Sequence, residues 1–425
     1  MTSTFPAHLL PATARAARDG LEIGGLPVAD LVTSFGSPLI VYDEKHLRAR
    51  CGEIRSAFPD GASYASKAFR CRGIAQLVHE EGLGLDVASG GELAIALAAG
   101  VPPERLTLHG NNKSLSELHA ALTVGVGRIV VDSDDELNRL ETLAHEMTTG
   151  PRVLVRVNPS VAAVDTHRSI RTGHEASKFG VALEDGRAEA LVCRVRQSRR
   201  MRFGGVHIHI GSQMTDLAPL RQAIGSAASF ASSVDAEELI VGGGLGVSHG
   251  LNDNAPDIAT WGALARQSAE DGGFRGPVLA EPGRVLTATA AVTLYTIGTI
   301  KRRATTTLLA VDGGISDNPR PALYQSVYHP LLVRHPYATA DIGDYTVVGK
   351  NCESSDTFAR DVDIPGNPQL GDVLCLPVTG AYTYAMASHY NGLGRPAVVL
   401  VRDGAARPIL RRETVEDLLR VDLVS

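Results

Sequence analysis

Leu83-Gly84-Leu85-Asp86-Val87-Ala88-Ser89-Gly90-Gly91-Glu92 is a short apolar run that stops at a serine and meets a glutamate three residues later. The chain repeats this grammar twice. Leu106-Thr107-Leu108 leads, after a polar loop, into Ser114-Leu115-Ser116-Glu117, and Arg128-Ile129-Val130-Val131-Asp132 leads into Ser133-Asp134-Asp135-Glu136. In S-x-x-E the serine side chain can take an amide of the first helical turn, while the glutamate reaches back to the serine amide. One match is weak. Three, each after an apolar run and about 20 residues apart, describe repeated β-α units.

The series extends both ways. Similar apolar runs occupy 62–66 upstream and 152–157, 203–210, 238–241 and 276–280 downstream. Eight strands alternating with helices predict an α/β fold, a (β/α)8 TIM-type barrel whose active site gathers at the C-terminal ends of its strands. A doubly wound sheet would carry one dominant glycine fingerprint after its first strand. Here the first strand ends in Lys67 and the glycine-rich turn comes seventh. Beyond about residue 287 the texture becomes β-rich, with runs at 292–297, 307–311, 345–348 and 373–376. Residues 36–42 add a strand of the same character, and 44–58 form a helix with Leu47, Cys51, Ile54 and Phe58 on one face. The expected division is a barrel over 45–286 and a mostly β second domain built from 1–44 and 287–425.

Composition narrows the function. With 425 residues, two domains are the default. A net charge of −6 gives no basic footprint for nucleic acid. No charge-free apolar run reaches the ~18 residues of a membrane span. The five cysteines, 51, 71, 193, 352 and 375, form an odd set without C-x-x-C, which fits neither a disulfide framework nor a structural zinc motif. Met1 to Pro6 lacks the basic and apolar regions of a secretory signal, so a reducing cytoplasm is the expected compartment.

Nearly every strand ends in a chemically useful group. Lys67 closes the first. A lysine partly withdrawn from water at a strand end can form a Schiff base, although a solvated surface lysine reads the same. Lys178, in Ser177-Lys178-Phe179-Gly180, is a rival but follows a long polar loop. Gly242-Gly243-Gly244-Leu245-Gly246 lets backbone amides approach a phosphate, or is a plain tight turn. His207 and His209 alternate along one strand. A metal pair is conceivable, but no third ligand stands out; one ring stacked on a planar cofactor and one buried, hydrogen-bonded ring is the better use. Gly211-Ser212-Gln213 adds phosphate donors. Glu281 can pair with a ring nitrogen or simply with Arg284. Cys352 can give a proton and Glu353 can read an ammonium, or both can be bland. A lysine at one end of the series and a carboxylate at the other suggest a barrel gripping pyridoxal phosphate, and an amine or amino-acid substrate.

Together the motifs resemble the fold-type III pyridoxal-phosphate decarboxylases, and within them the branch acting on meso-diaminopimelate. The resemblance runs from Gly36-Ser37-Pro38 to Arg412-Glu413-Thr414. It includes Tyr64-Ala65-Ser66-Lys67, His109-Gly110-Asn111-Asn112-Lys113, His209-Ile210-Gly211-Ser212-Gln213, Glu281-Pro282-Gly283-Arg284, Arg320-Pro321-Ala322-Leu323-Tyr324, Cys352-Glu353-Ser354 and Gly380-Ala381-Tyr382. It implies that pyridoxal 5'-phosphate is held covalently by Lys67, stacked on His209, bound at its ring nitrogen by Glu281, and surrounded at its phosphate by Ser212, Gly243, Gly244, Gly283 and Arg284. Arg284, Arg320, Tyr324 and Tyr382 would meet the substrate. Cys352, as proton donor, and Glu353, as reader of the D-centre, would arrive from the second copy of a homodimer. No metal is implied. His389 stands where the family often has asparagine. The alternatives are a decarboxylase of the same fold acting on ornithine, another basic amino acid or a carrier-bound substrate, a racemase-like enzyme, and a non-catalytic regulator.

Overall fold

The computed structural model describes residues 5–18, 20–145, 150–161, 177–334, 343–364 and 366–423. Two compact units emerge. One comprises Arg50–Gly246 and Ala255–Val285; the other comprises Met1–Ala49, Val247–Asn254 and Leu286–Ser425.

The first unit contains eight parallel strands. They are β1 (Ser63–Ala65), β2 (Gly84–Val87), β3 (Leu106–Leu108), β4 (Arg128–Val131), β5 (Arg152–Asn158), β6 (Arg202–His207), β7 (Glu238–Ile240) and β8 (Val278–Leu279). Each pairs with its neighbour in chain order from β1 to β8. Closure follows from Ala62 bridging Ala280 in parallel, with the Ser63 amide donating to the Ala280 carbonyl at 2.9 Å and the Ala65 amide to that of Pro282 at 3.0 Å. Val130, Leu154, Ile240 and Leu279 form one apolar cluster from strands around the ring. At the N-terminal ends of the strands, Arg128 grips Glu238 in bidentate fashion, at 2.6 and 2.8 Å. That ion pair lies on the face where barrels keep stability rather than chemistry.

The three serines cap their helices as the spacing predicts. Ser89, Ser114 and Ser133 accept the amides of Glu92, Glu117 and Glu136. Only Ser114–Glu117 closes the reciprocal box. Glu92 and Glu136 reach one residue further back, to the amides of Ala88 and Asp132. Glu136 also meets Lys113 Nζ at 2.6 Å, and Lys113 donates to the Gly110 and Val130 carbonyls at 2.8 and 2.6 Å. Both side chains are essentially excluded from water. Breaking a buried pair strands the surviving charge at a cost of about 3–5 kcal/mol. Lys113→Met therefore lowers stability in urea by about that amount, whereas Lys113→Met with Glu136→Leu recovers most of it.

The second unit is mostly β. Its large sheet runs Thr357–Ile364, Gly343–Val348, Thr307–Val311, Ala291–Arg302, Leu39–Asp43, Ala397–Arg402, Ala405–Leu410, with Val373–Pro377 also on Ala291–Arg302. Leu39–Asp43 lies between Ala291–Arg302 and Ala397–Arg402, so the N-terminal strand is central to a sheet made from the other end of the chain. The sequence runs marked four of the C-terminal strands and missed Thr357–Ile364, Ala397–Arg402 and Ala405–Leu410. Residues 247–254 were expected in the barrel but group with this second unit. Among the described residues, no helix is long and apolar enough to cross a membrane.

Candidate active site

The C-terminal ends of the barrel strands carry the polar groups. Lys67 sits in a single 3-10 turn, Ser66–Ala68, immediately after β1. It is exposed rather than partly withdrawn from water as the sequence suggested. Its charge is felt by Asp86 and His209, so the amine belongs to this cluster. Lys178 is also exposed, and its ammonium lies 5.0 Å from the centre of the Phe179 ring. Much of the polar loop before it lies outside the described residues.

Glu281, just beyond β8, is the centre of the cluster. Its Oε2 is 2.9 Å from His207 Nε2. His109 Nε2, from the loop after β3, is 3.1 Å from Oε1 but is not aligned for a hydrogen bond, and is 3.6 Å from Asp86 Oδ1. Burial drives His207 down to about 4, leaving a neutral ring with one N–H for Glu281. Burial also works against charge on His109, but Glu281 and Asp86 outweigh it and lift this ring to about 9. Burial, aided by the Glu281 charge, pushes Asp86 up to about 7. For Glu281 itself burial favours the acid, but the two histidines prevail and hold it well below the usual carboxylate range. The result is an anion with one oxygen engaged by a neutral donor and the other, Oε1, a buried acceptor with no hydrogen bond.

His207 and His209 fall in different contact groups. β6 ends at His207, and His209 lies two residues beyond it. The groups close to His207 are His109 and Glu281, whose ligand atoms lie within 4.8 Å of one another and of its own. This trio does not include His209, and its members contact each other. His209 Nδ1 accepts the Gly243 amide at 3.3 Å. Burial, then the charges of Lys67 and Arg156, keep this ring well below its ordinary value and neutral.

The glycine turn is packed against the loop after β6. A Cβ on Gly243 would strike the Glu281 carbonyl. One on Gly244, at φ 101°, would strike the Gly211 carbonyl and Met214. Only glycine brings this backbone so close. Arg284 is buried, and its Nη2 donates to Ser212 Oγ at 3.1 Å. Gly283 lies against Ala65 and Ala68, on either side of Lys67.

The remaining candidates lie in the second unit. Arg320 and Tyr324 share a short helix, Arg320–Tyr324. Arg320 is 4% exposed, and its Nη1 donates to Tyr328 Oη at 2.9 Å and to His249 Nε2 at 3.1 Å. No carboxylate pairs with it among the described residues. Cys352 and Glu353 are both exposed, and the Cys352 amide donates to Asn391 Oδ1 at 2.8 Å. Tyr382 has φ 59°, a left-handed conformation costly for an aromatic residue. The preceding turn is fixed by Tyr42 Oη, which donates to the Gly380 carbonyl at 2.6 Å. His389 Nε2 is 2.7 Å from Glu413 Oε2. Sequence reasoning missed Asp86 and His109, although both sit at or just beyond a strand end and that rule would have found them. His249 and Tyr328 carried no such signal.

Residues 44–288 match the family model described as pyridoxal-dependent decarboxylase, pyridoxal binding domain. A diaminopimelate decarboxylase of Actinosynnema pretiosum subsp. auranticum is 45% identical over 421 residues, covering 97% of this chain and 94% of that protein. Its counterpart in Bacillus subtilis is 41% identical over 437 residues, covering 97% and 98%. The crystal structure of diaminopimelate decarboxylase from M. jannaschii in complex with L-lysine superposes with a TM-score of 0.91 at 30% identity, over 97% of this chain and 98% of that one.

Proposed function

The chain belongs to the pyridoxal-dependent decarboxylases, whose cofactor is pyridoxal 5'-phosphate, and we propose that it converts meso-diaminopimelate to L-lysine and CO2. The observation that carries this is Glu281 Oε1: a buried anionic oxygen without a hydrogen bond, in the same cluster as the Lys67 amine. It suits the N–H of a protonated pyridine. The close approach at Gly243 and Gly244, with Ser212 and Arg284, suits a phosphate, so the residues fit the cofactor. Bound pyridoxal phosphate supplies an aldehyde for the substrate amine and a ring that withdraws electrons from Cα.

The chain's own groups divide the remaining work. Lys67 is the anchoring amine. Glu281 would hold a proton on the ring nitrogen, and His209, neutral and tethered to Gly243, would offer its flat face. Arg284 and Arg320 take carboxylates, for which a guanidinium is the bidentate partner. Tyr324 and Tyr382 border the substrate. Glu353 reads the ammonium of the D-centre, and Cys352 returns a proton to Cα after CO2 has left. Cys352 and Glu353 act in this reading on the partner's site of a homodimer, which agrees with their exposure.

Substrate choice is tested by CO2 release with product identification, offering meso-diaminopimelate, D- and L-lysine and D- and L-ornithine with and without pyridoxal phosphate. Cofactor-dependent L-lysine from the meso compound alone is expected. Preferential turnover of ornithine or lysine would move the chain to the other substrate class while leaving its family unchanged.

A further inference from the structure

Val247–Asn254 follows the glycine turn after β7 in sequence, yet it belongs to the second unit. It brings His249 to Arg320. His249 is 8% exposed, Arg320 4% and Tyr328 1%. The three side chains are mutually packed: the His249 and Tyr328 rings meet edge to face at 5.9 Å, and the Arg320 guanidinium carbon is 5.8 Å from the Tyr328 ring centre.

The hydrogen bonds fix the tautomer. His249 Nδ1 lies 3.1 Å from the Val247 carbonyl, which can only accept, so Nδ1 carries the proton. Nε2 is then a lone pair, and it accepts from Arg320 Nη1 at 3.1 Å. Tyr328 Oη accepts from the same nitrogen at 2.9 Å. Both acceptors are neutral, and both bind Nη1. Nε of Arg320 is buried with no partner among the described residues, and the side-chain hydrogen bonds of Arg320 both leave from Nη1 rather than Nη2. The Nε–Nη2 edge is one of the edges of a guanidinium that can take both oxygens of a carboxylate.

We propose that His249 is a positioning residue that sets substrate specificity: with Tyr328 it turns the Nη1 corner of Arg320 aside and leaves the Nε–Nη2 edge, with its charge uncancelled, for the substrate's retained carboxylate. An acidic residue at this position would orient the guanidinium equally well but would cancel the charge the substrate needs. This inference rests on the reading of Arg320 as a carboxylate ligand, and the experiment separates the two.

Steady-state kinetics with meso-diaminopimelate and equilibrium binding of L-lysine and 1,5-diaminopentane are measured on the holoenzyme for His249→Leu, His249→Gln, His249→Glu and Arg320→Leu. His249→Leu is expected to raise KM and the L-lysine Kd by about tenfold with kcat nearly unchanged. Binding of 1,5-diaminopentane, which has no carboxylate, should not move. His249→Gln, a neutral acceptor, should restore most of the affinity, whereas His249→Glu should weaken L-lysine at least as much as leucine does. Equal L-lysine affinity in the Gln and Glu variants overturns the proposal, and that comparison stands even where the leucine variant does not fold. If Arg320→Leu also leaves KM and L-lysine binding unchanged, the assignment of Arg320 itself fails. If Arg320→Leu weakens both while every His249 variant behaves as wild type, only the role of His249 fails.

Discussion

Lys67→Ala is expected to abolish turnover, by at least about ten-thousandfold in kcat, because the amine we assign to anchoring the cofactor is gone. Lys178 is the other lysine the sequence offered. It sits beside Phe179, and Lys178→Ala should leave kcat within about twofold of wild type. The fold should survive, since the Lys67 side chain is exposed and supports no packing. Loss of the visible absorbance of covalently held cofactor checks the cause directly, and retention of turnover in Lys67→Ala would remove this residue from the mechanism. The same variant tests the shared site. Cys352→Ala is expected to be severely impaired alone. Dissociated and reassociated in equal amounts with Lys67→Ala, it should regain about a quarter of wild-type activity, since half the dimers are mixed and each mixed dimer has one intact site. No recovery would mean that each protomer completes its own site.

Glu281→Gln is the second large effect. The amide keeps the shape of the carboxylate but not the charge that, in the proposed role, would hold a proton on the ring nitrogen, so kcat should fall by about a hundred- to a thousandfold in cofactor-saturated enzyme. A separate signature appears in the cofactor-free protein. His109 is lifted to about 9 because Glu281 and Asp86 overcome the cost of burying its charge. A raised histidine pKa stabilises the fold fully below its unfolded value near 6.5 and loses that contribution as pH rises through about 9. Wild-type apoprotein should therefore lose stability between about pH 7 and 9. Glu281→Gln removes the nearer anion, so its decline should be shallower over the same interval. Parallel urea midpoints for the two proteins across that range would rule out the Glu281–His109 coupling.

Much of this molecule was legible before folding, and the elements show why. Strand ends are read well because two local signals coincide there: an apolar run stops and a helix cap begins. Ser89, Ser114 and Ser133 are such caps, and in a barrel they place Asp86, His109 and Asp132 near the catalytic face without further information. Lys67 and Glu281 were found for the same reason, at the first and last strands. The glutamates of the caps were read less well. Glu136 was expected to reach the Ser133 amide but bonds that of Asp132, as Glu92 bonds that of Ala88, and its other oxygen meets Lys113, 23 residues away.

The sequence by itself determined the barrel, the β-rich second unit and the positions of Lys67, the glycine turn and Glu281 at strand ends, since each rests on periodicity, caps or backbone freedom within a few residues. Only the tertiary structure decided how those groups are charged and aimed. His207 and His209 were read together because they alternate along one strand; the contacts of His207 are with Glu281, just beyond β8, and with His109, in the loop after β3. Arg320 was named from its motif, but the corner of its guanidinium that is engaged depends on His249, 71 residues away, and on Tyr328. Such contacts carry no local pattern: they form where distant segments meet out of water, and burial there sets both the tautomer and the charge.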